Sequence, residues 1–215
     1  MKTFKLVALD IDGLLTRGLS WARFNAFVGI TPAEDQRMYD DYYIHHTLTF
    51  TRWNYILDQR YQESGKTKRD FEIFAKNIEW QPFARELVAA LNKRYETWLI
   101  SGALEVYVSD VARQLGISHF AANYAFEYDP DGTVKRILQK GEEGRAKEIT
   151  LKQICKNKKI MPEEIVFIGD STNDLEAFRF TNHGILVGEG NENLRQACWK
   201  HVRTLSDVLP ILLPD

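Results

Sequence analysis

The chain has 215 residues, 44% hydrophobic and 27% charged, the composition of a folded globular protein long enough to bury a core without covalent staples. Its 28 Lys and Arg against 30 Asp and Glu give a formal charge of -2, so bulk attraction for a nucleic-acid backbone is excluded and only a local basic patch is left for that role. Cys155 and Cys198 form no C-x-x-C pair, which excludes a zinc knuckle or dithiol site and makes a reducing cytoplasm the expected compartment. No stretch has the length of a membrane span, and the apolar run Leu6-Val7-Ala8-Leu9 is too short for a secretory signal.

Lys5 to Leu9 reads as a buried strand, a short apolar run stopped by Asp10 and Gly13. From about Thr16 to Trp80 no buried strand is legible; helical stretches thick in Trp, Phe, Tyr and Arg follow one another, with a turn at Glu63-Ser64-Gly65-Lys66-Thr67-Lys68. Beyond it the pattern becomes regular. A helix is predicted from Pro82 to Arg94, a strand from Thr97 to Ile100, and a helix from Leu104 to Leu115 closed by Gly116. Asp129-Pro130-Asp131-Gly132 marks a hairpin at the edge of the sheet. A helix from Gly144 to Asn157, a strand over Ile165 to Ile168, a helix from Asn173 to Phe180 and a strand over Gly184 to Val187 complete the series. Strands alternating with helices predict an α/β fold with a parallel, Rossmann-like sheet. The expected organisation is a core of residues 1–15 and 81–215 and a helical cap of residues 16–80, inserted after the first strand and standing over the carboxyl ends of the sheet.

Asp10-Ile11-Asp12-Gly13 sets two carboxylates two residues apart at a strand end, where both project to the same side. Asp170 and Asp174 follow another buried strand in Gly169-Asp170-Ser171-Thr172-Asn173-Asp174. A single Asp after a strand is usually a cap or turn residue, but capping explains neither the doubled Asp nor its recurrence. Four acids at two strand ends call for a divalent cation, and hard oxygen donors with no neighbouring His or Cys favour Mg²⁺. Ser101-Gly102, between a strand and a helix, offers a hydroxyl and backbone amides to an anion. Lys147 lies on a helix, where a lysine is ordinarily a solvated residue.

Taken in order, Asp10-Ile11-Asp12-Gly13, Ser101-Gly102, Lys147 and Gly169-Asp170 through Asn173-Asp174 resemble the four motifs of the haloacid dehalogenase (HAD) superfamily, and the 23 residues from Lys147 to Asp170 resemble its phosphoserine phosphatase-like branch, with a C1 cap. Lys140 sits too early to be the motif lysine. The resemblance implies a Mg²⁺-dependent phosphatase acting on a small phosphomonoester through an aspartyl-phosphate on Asp10, with Asp12 as general acid and then base. It further implies metal binding by Asp10, Asp170 and the backbone carbonyl of Asp12 with Asp174 in support, and phosphate binding by Ser101, Gly102 and Lys147. Asn173 in the last motif and Arg23 and Arg52 in the cap are candidate substrate-binding residues. Arg17, Trp21 and Trp53 join those arginines as groups suited to an anionic or ring-bearing leaving group. His45 and His46 point to different helix faces and are not expected to share a metal.

The pattern departs from the family at two positions. Leu14 replaces the Thr or Val common after the first motif, removing a hydroxyl contact. Leu19 stands nine residues after Asp10, where phosphoserine phosphatases place the Glu that holds the substrate amine, which argues against phosphoserine. The same motifs also serve a phosphotransferase, and a degenerate phosphate- or partner-binding module is the reading from another class. Retention of every charged motif residue argues against the latter.

Overall fold

The computed structural model describes residues 4–141 and 144–214. Strand β1 (Leu6–Leu9) leads into helices α1 (Ser20–Phe27), α2 (Pro32–Tyr43), α3 (Phe50–Glu63) and α4 (Lys68–Ala75). The chain continues through α5 (Ala84–Leu91), β2 (Glu96–Leu104), α6 (Glu105–Leu115), β3 (His119–Tyr128), β4 (Val134–Gln139) and α7 (Ala146–Lys158). It ends with β5 (Ile165–Gly169), α8 (Leu175–Thr181), β6 (Gly184–Val187), α9 (Glu192–Ala197), β7 (Lys200–Val202) and α10 (Leu209–Leu212). The strands form one seven-stranded sheet in the order β4-β3-β2-β1-β5-β6-β7, parallel except for β4.

β1 lies at the centre with every residue buried, because it is covered on both faces. Alternation sends Val7 and Leu9 into one core with Leu99, Val166 and Ile168, and Leu6 and Ala8 into the other with Ile100, Ile165 and Phe167. The sheet order turns at β1, whose neighbours are β2 and β5, so the carboxyl ends of β1 and β5 flank the crevice where such sheets bind ligands.

Residues 16–80 contribute the four helices α1–α4 and touch strand geometry only through isolated bridges at Thr16, Thr67 and Trp80. Thr31 and Thr67 begin α2 and α4 with capping boxes, closed by Glu34 and Asp70. α3 packs on β4 and α4 on α6, so the helical segment rests on one edge of the sheet. Asp58 on α3 accepts from the Ile137 amide at 2.6 Å. Burial outweighs that bond and raises the Asp58 carboxyl above its ordinary value.

Three expectations are corrected. β2 continues through Ser101 and Gly102 to Leu104, where Ile100 was expected to end it, and its pairing with β3 shifts between Ser101 and Leu104. The predicted helix from Asn173 begins as a tight 3-10 turn over Thr172–Asp174 and becomes α-helical at Leu175. Pro82 precedes rather than opens its helix, since Phe83 adopts a left-handed conformation with φ 68° before α5 starts. No helix among the described residues is long and apolar enough to cross a membrane.

Candidate active site

Asp10 directly follows β1, its amide continuing the ladder to the Ile168 carbonyl at 3.0 Å, and Asp170 directly follows β5. Adjacent parallel strands thereby deliver carboxylates from distant parts of the sequence to one place. Asp10, Asp170 and Asp174 each bring an oxygen within 4.8 Å of the others. The close fit depends on two glycines. A Cβ on Gly13, whose φ is +82°, would lie 2.3 Å from Asp170 Oδ2, and a Cβ on Gly169 would lie 2.3 Å from Asp174 Cγ.

Asp174 is fully committed within the protein. Its Oδ2 accepts from the amides of Asp170 and Ser171, both at 3.0 Å, and its Oδ1 accepts from Lys147 Nζ at 2.5 Å. Lys147 is buried, contrary to the ordinary solvated role of a helical lysine, and lies 2.8 Å from Asp10 Oδ2. It also donates to Asn173 Oδ1 at 2.7 Å, which places Asn173 beside the lysine. Burial opposes the charge on Lys147, but Asp10 and Asp174 outweigh it and hold its pKa above the ordinary value.

Asp12 stands apart from the carboxylate cluster. Its Oδ2 accepts from the backbone N–H of Ser20 at 2.8 Å and from the Ser20 hydroxyl at 2.5 Å, so the first residue of α1 holds the second motif acid. Ser20 carries no sequence signal for this role, because a serine at a helix start is explained by capping alone.

The described residues leave Asp10 Oδ1, Asp12 Oδ1 and Asp170 Oδ1 buried without a hydrogen-bond partner. Burial raises the Asp10 carboxyl to about 8, with Lys147 opposing and Asp174 adding to the shift. Burial and Asp174 together raise Asp170 to about 7. Burial also raises Asp12, against the two bonds from Ser20. Buried carboxylate oxygens without a donor from the protein can serve a cation, and an all-oxygen donor set fits a hard divalent ion such as Mg²⁺.

Ser101 is buried within β2, its Oγ accepting from the Ala103 amide at 3.2 Å, and it lines a small cavity with Lys147. Gly102 lines a larger cavity of about 700 Å³ together with Lys147 and Asn173, and its carbonyl accepts from Trp21 Nε1 at 3.0 Å. Because the strand runs on to Leu104, the amides after Ser101 belong to extended backbone and α6 begins only at Glu105. Leu14 is buried in the core, so its side chain leaves the site. Arg23 and Arg52 are not among the residues lining the large cavity: Arg23 donates to the Asn77 carbonyl and lies over the Phe74 ring, and Arg52 is exposed over Tyr55. Tyr107, which the sequence did not single out, is buried in the first turn of α6; burial pushes its hydroxyl to about 12 against hydrogen bonds to Thr16 and Arg23.

Comparison with known proteins agrees with this arrangement. A haloacid dehalogenase-like hydrolase family model matches residues 4–180. A phosphoserine phosphatase from Saccharomyces cerevisiae is 28% identical over 116 residues, a match spanning 53% of this chain but only 37% of that relative. A solved phospho-aspartyl intermediate analogue of phosphoserine phosphatase superposes with a TM-score of 0.75 at 21% identity, covering 98% of this chain and 100% of the other. A HAD family hydrolase from Salmonella enterica serovar Typhi reaches a TM-score of 0.81 at 16% identity, covering 99% of this chain and 72% of its own. These structural likenesses speak for the fold, while the family model spans both acidic motifs and the lysine between them. With the model covering most of the sequence, the chain belongs to the haloacid dehalogenase-like hydrolases.

Proposed function

We propose that the protein is a Mg²⁺-dependent phosphatase that hydrolyses a small phosphomonoester through an aspartyl-phosphate on Asp10. The observation carrying this is the set of buried Asp10 and Asp174 and half-buried Asp170 around Lys147, with Asp12 turned away to Ser20. Asp10 and Asp170, with the backbone carbonyl of Asp12, would hold Mg²⁺, and Asp174 would fix the Asp170 turn and Lys147 behind them. When bound, the cation supplies positive charge to acids that otherwise repel a phosphate dianion.

Asp10 is the nucleophile: its carboxylate attacks phosphorus in line, and the alcohol oxygen departs. Asp12 protonates that oxygen as it leaves, which its raised pKa favours, and then takes a proton from the water that cleaves the acyl phosphate. Lys147, already fixed on Asp10, neutralises the phosphoryl oxygens, while the Ser101 hydroxyl and the backbone at Gly102 supply neutral donors. Residues 16–80 act as the cap that surrounds the leaving group.

Phosphate release from phosphorylated metabolites with Mg²⁺, repeated with chelator and with Asp10→Asn, tests the reading. Activity should vanish in both controls, and acid quenching should trap phosphate on the peptide containing Asp10. Full activity of Asp10→Asn would overturn the assignment. Counting free phosphate against phosphorylated alcohol acceptor separates hydrolysis from phosphotransfer.

A further inference from the structure

Resting on the phosphatase reading of the same site, we infer that the leaving group is a bulky, ring-bearing alcohol without a carboxylate, seated between aromatic side chains of the cap and Asp35. The cavity holds about 700 Å³, in the size range of sites for drug-sized ligands and far more than a phosphorylated amino acid such as phosphoserine fills. Its walls carry Trp21, Tyr39, Tyr43, Phe50 and Trp53 from the helical segment and Tyr124 from β3. Core packing does not account for all of these rings, since Tyr39 is 47% and Tyr43 45% exposed.

The wall is built before a ligand arrives. Trp21 bonds the Gly102 carbonyl at 3.0 Å and meets the Tyr124 ring edge-on at 5.1 Å, joining the segment to the strand that carries Ser101. Tyr42 lies 5.2 Å and Tyr43 6.1 Å from the Trp53 ring. Rings held in place bind another ring with little ordering cost.

Charge removes the competing class of leaving group. Among the described residues lining the cavity, Lys147 and Asp35 alone are charged. Lys147 already serves Asp10 and Asp174, so a substrate carboxylate would be buried without a cation. Asp35 is itself fixed: its Oδ1 accepts from Asn25 Nδ2 at 2.9 Å, and buried Asn25 Oδ1 accepts from the Tyr61 hydroxyl at 3.0 Å. A fixed anion in the wall repels carboxylates and favours donors or a positive charge on the ring. Leu19, 63% exposed, adds apolar surface and no charge.

The test compares alcohols of similar reactivity. Phenethyl phosphate should be hydrolysed with kcat/KM at least about tenfold above both ethyl phosphate and O-phosphoserine. Phosphotyramine should exceed phosphotyrosine, which differs by a carboxylate, and Asp35→Asn should narrow that gap. Tyr39→Ala should lower the phenethyl-to-ethyl ratio. Calorimetry of phenylpropylphosphonate against propylphosphonate reads the same preference as binding, with no turnover. Equal binding of the two phosphonates, or O-phosphoserine equal to phenethyl phosphate, would overturn the inference. Failure to hydrolyse even acetyl phosphate would instead remove the phosphatase reading, leaving the phosphonate measurement to decide the pocket.

Discussion

Lys147 governs the charge balance of the site, its side chain 5% exposed and in ion pairs with Asp10 and Asp174. Removing one partner of a buried ion pair leaves the others uncompensated, so Lys147→Met should cost about 3–5 kcal/mol in Mg²⁺-free buffer. A cation that binds only the folded state should then recover more stability in the variant than in the parent. Urea unfolding at several Mg²⁺ concentrations measures both effects, and a variant as stable as the parent would show that Lys147 compensates nothing. Gly13→Ala makes a separate test, because the added methyl would meet Asp170 Oδ2 at 2.3 Å on a backbone with φ +82°. Mg²⁺ affinity by calorimetry should fall sharply. At this scale the sequence was informative about the acids, since the doubled Asp and its recurrence exceed what capping requires. It was silent on Ser20 and Tyr107, whose roles arise only from what the fold sets beside them.

Helices α2 and α3 begin on side-chain caps whose loss can be measured. Thr49 Oγ1 accepts from the Arg52 amide at 3.2 Å, and Thr49→Ala should cost about 1 kcal/mol, read as a lowered urea midpoint. At α2, the Thr31 amide and hydroxyl hold the Glu34 carboxyl below its ordinary value. A carboxyl depressed in the folded state stabilises above its unfolded pKa, and that contribution is lost as pH falls through the folded value. Amide protection factors at the start of α2, taken relative to the slower intrinsic exchange at low pH, should therefore fall on acidification, and less so in Thr31→Ala, which has already lost half of the box. Central strands were legible because burial on both faces leaves unbroken apolar runs such as Ile165–Ile168. β7 was not, since Lys200 and His201 are exposed at the sheet edge and three residues make no pattern. The extension of β2 was hidden for a different reason: Ser101-Gly102 reads as punctuation, yet pairing with β3 carries the strand through it.

Across the whole molecule, the break in rhythm at residues 16–80 coincides with helices α1–α4, but it does not tell how their aromatics connect. Each Phe or Tyr reads locally as the core of its own helix, whereas the structure joins Phe24, Tyr61, Phe71 and Ala75 to Val7 and Leu9 in one continuous core. Phe71 on α4 is the junction, 0% exposed, with its ring 6.1 Å from Phe24, 5.9 Å from Tyr61 and 4.7 Å from Phe126 on β3. A lid that swings freely needs an interface that can open cheaply, whereas this shared core ties α4 to the sheet. The helices and the sheet should accordingly unfold together. Phe71→Ala should cost about 3–5 kcal/mol and lower the melting of both at once. Amide exchange resolved by segment, alongside calorimetric and van't Hoff enthalpies, makes the measurement. A first transition confined to residues 16–80, with β1, β2 and β5 still protected, would instead make the helices an independently folding unit.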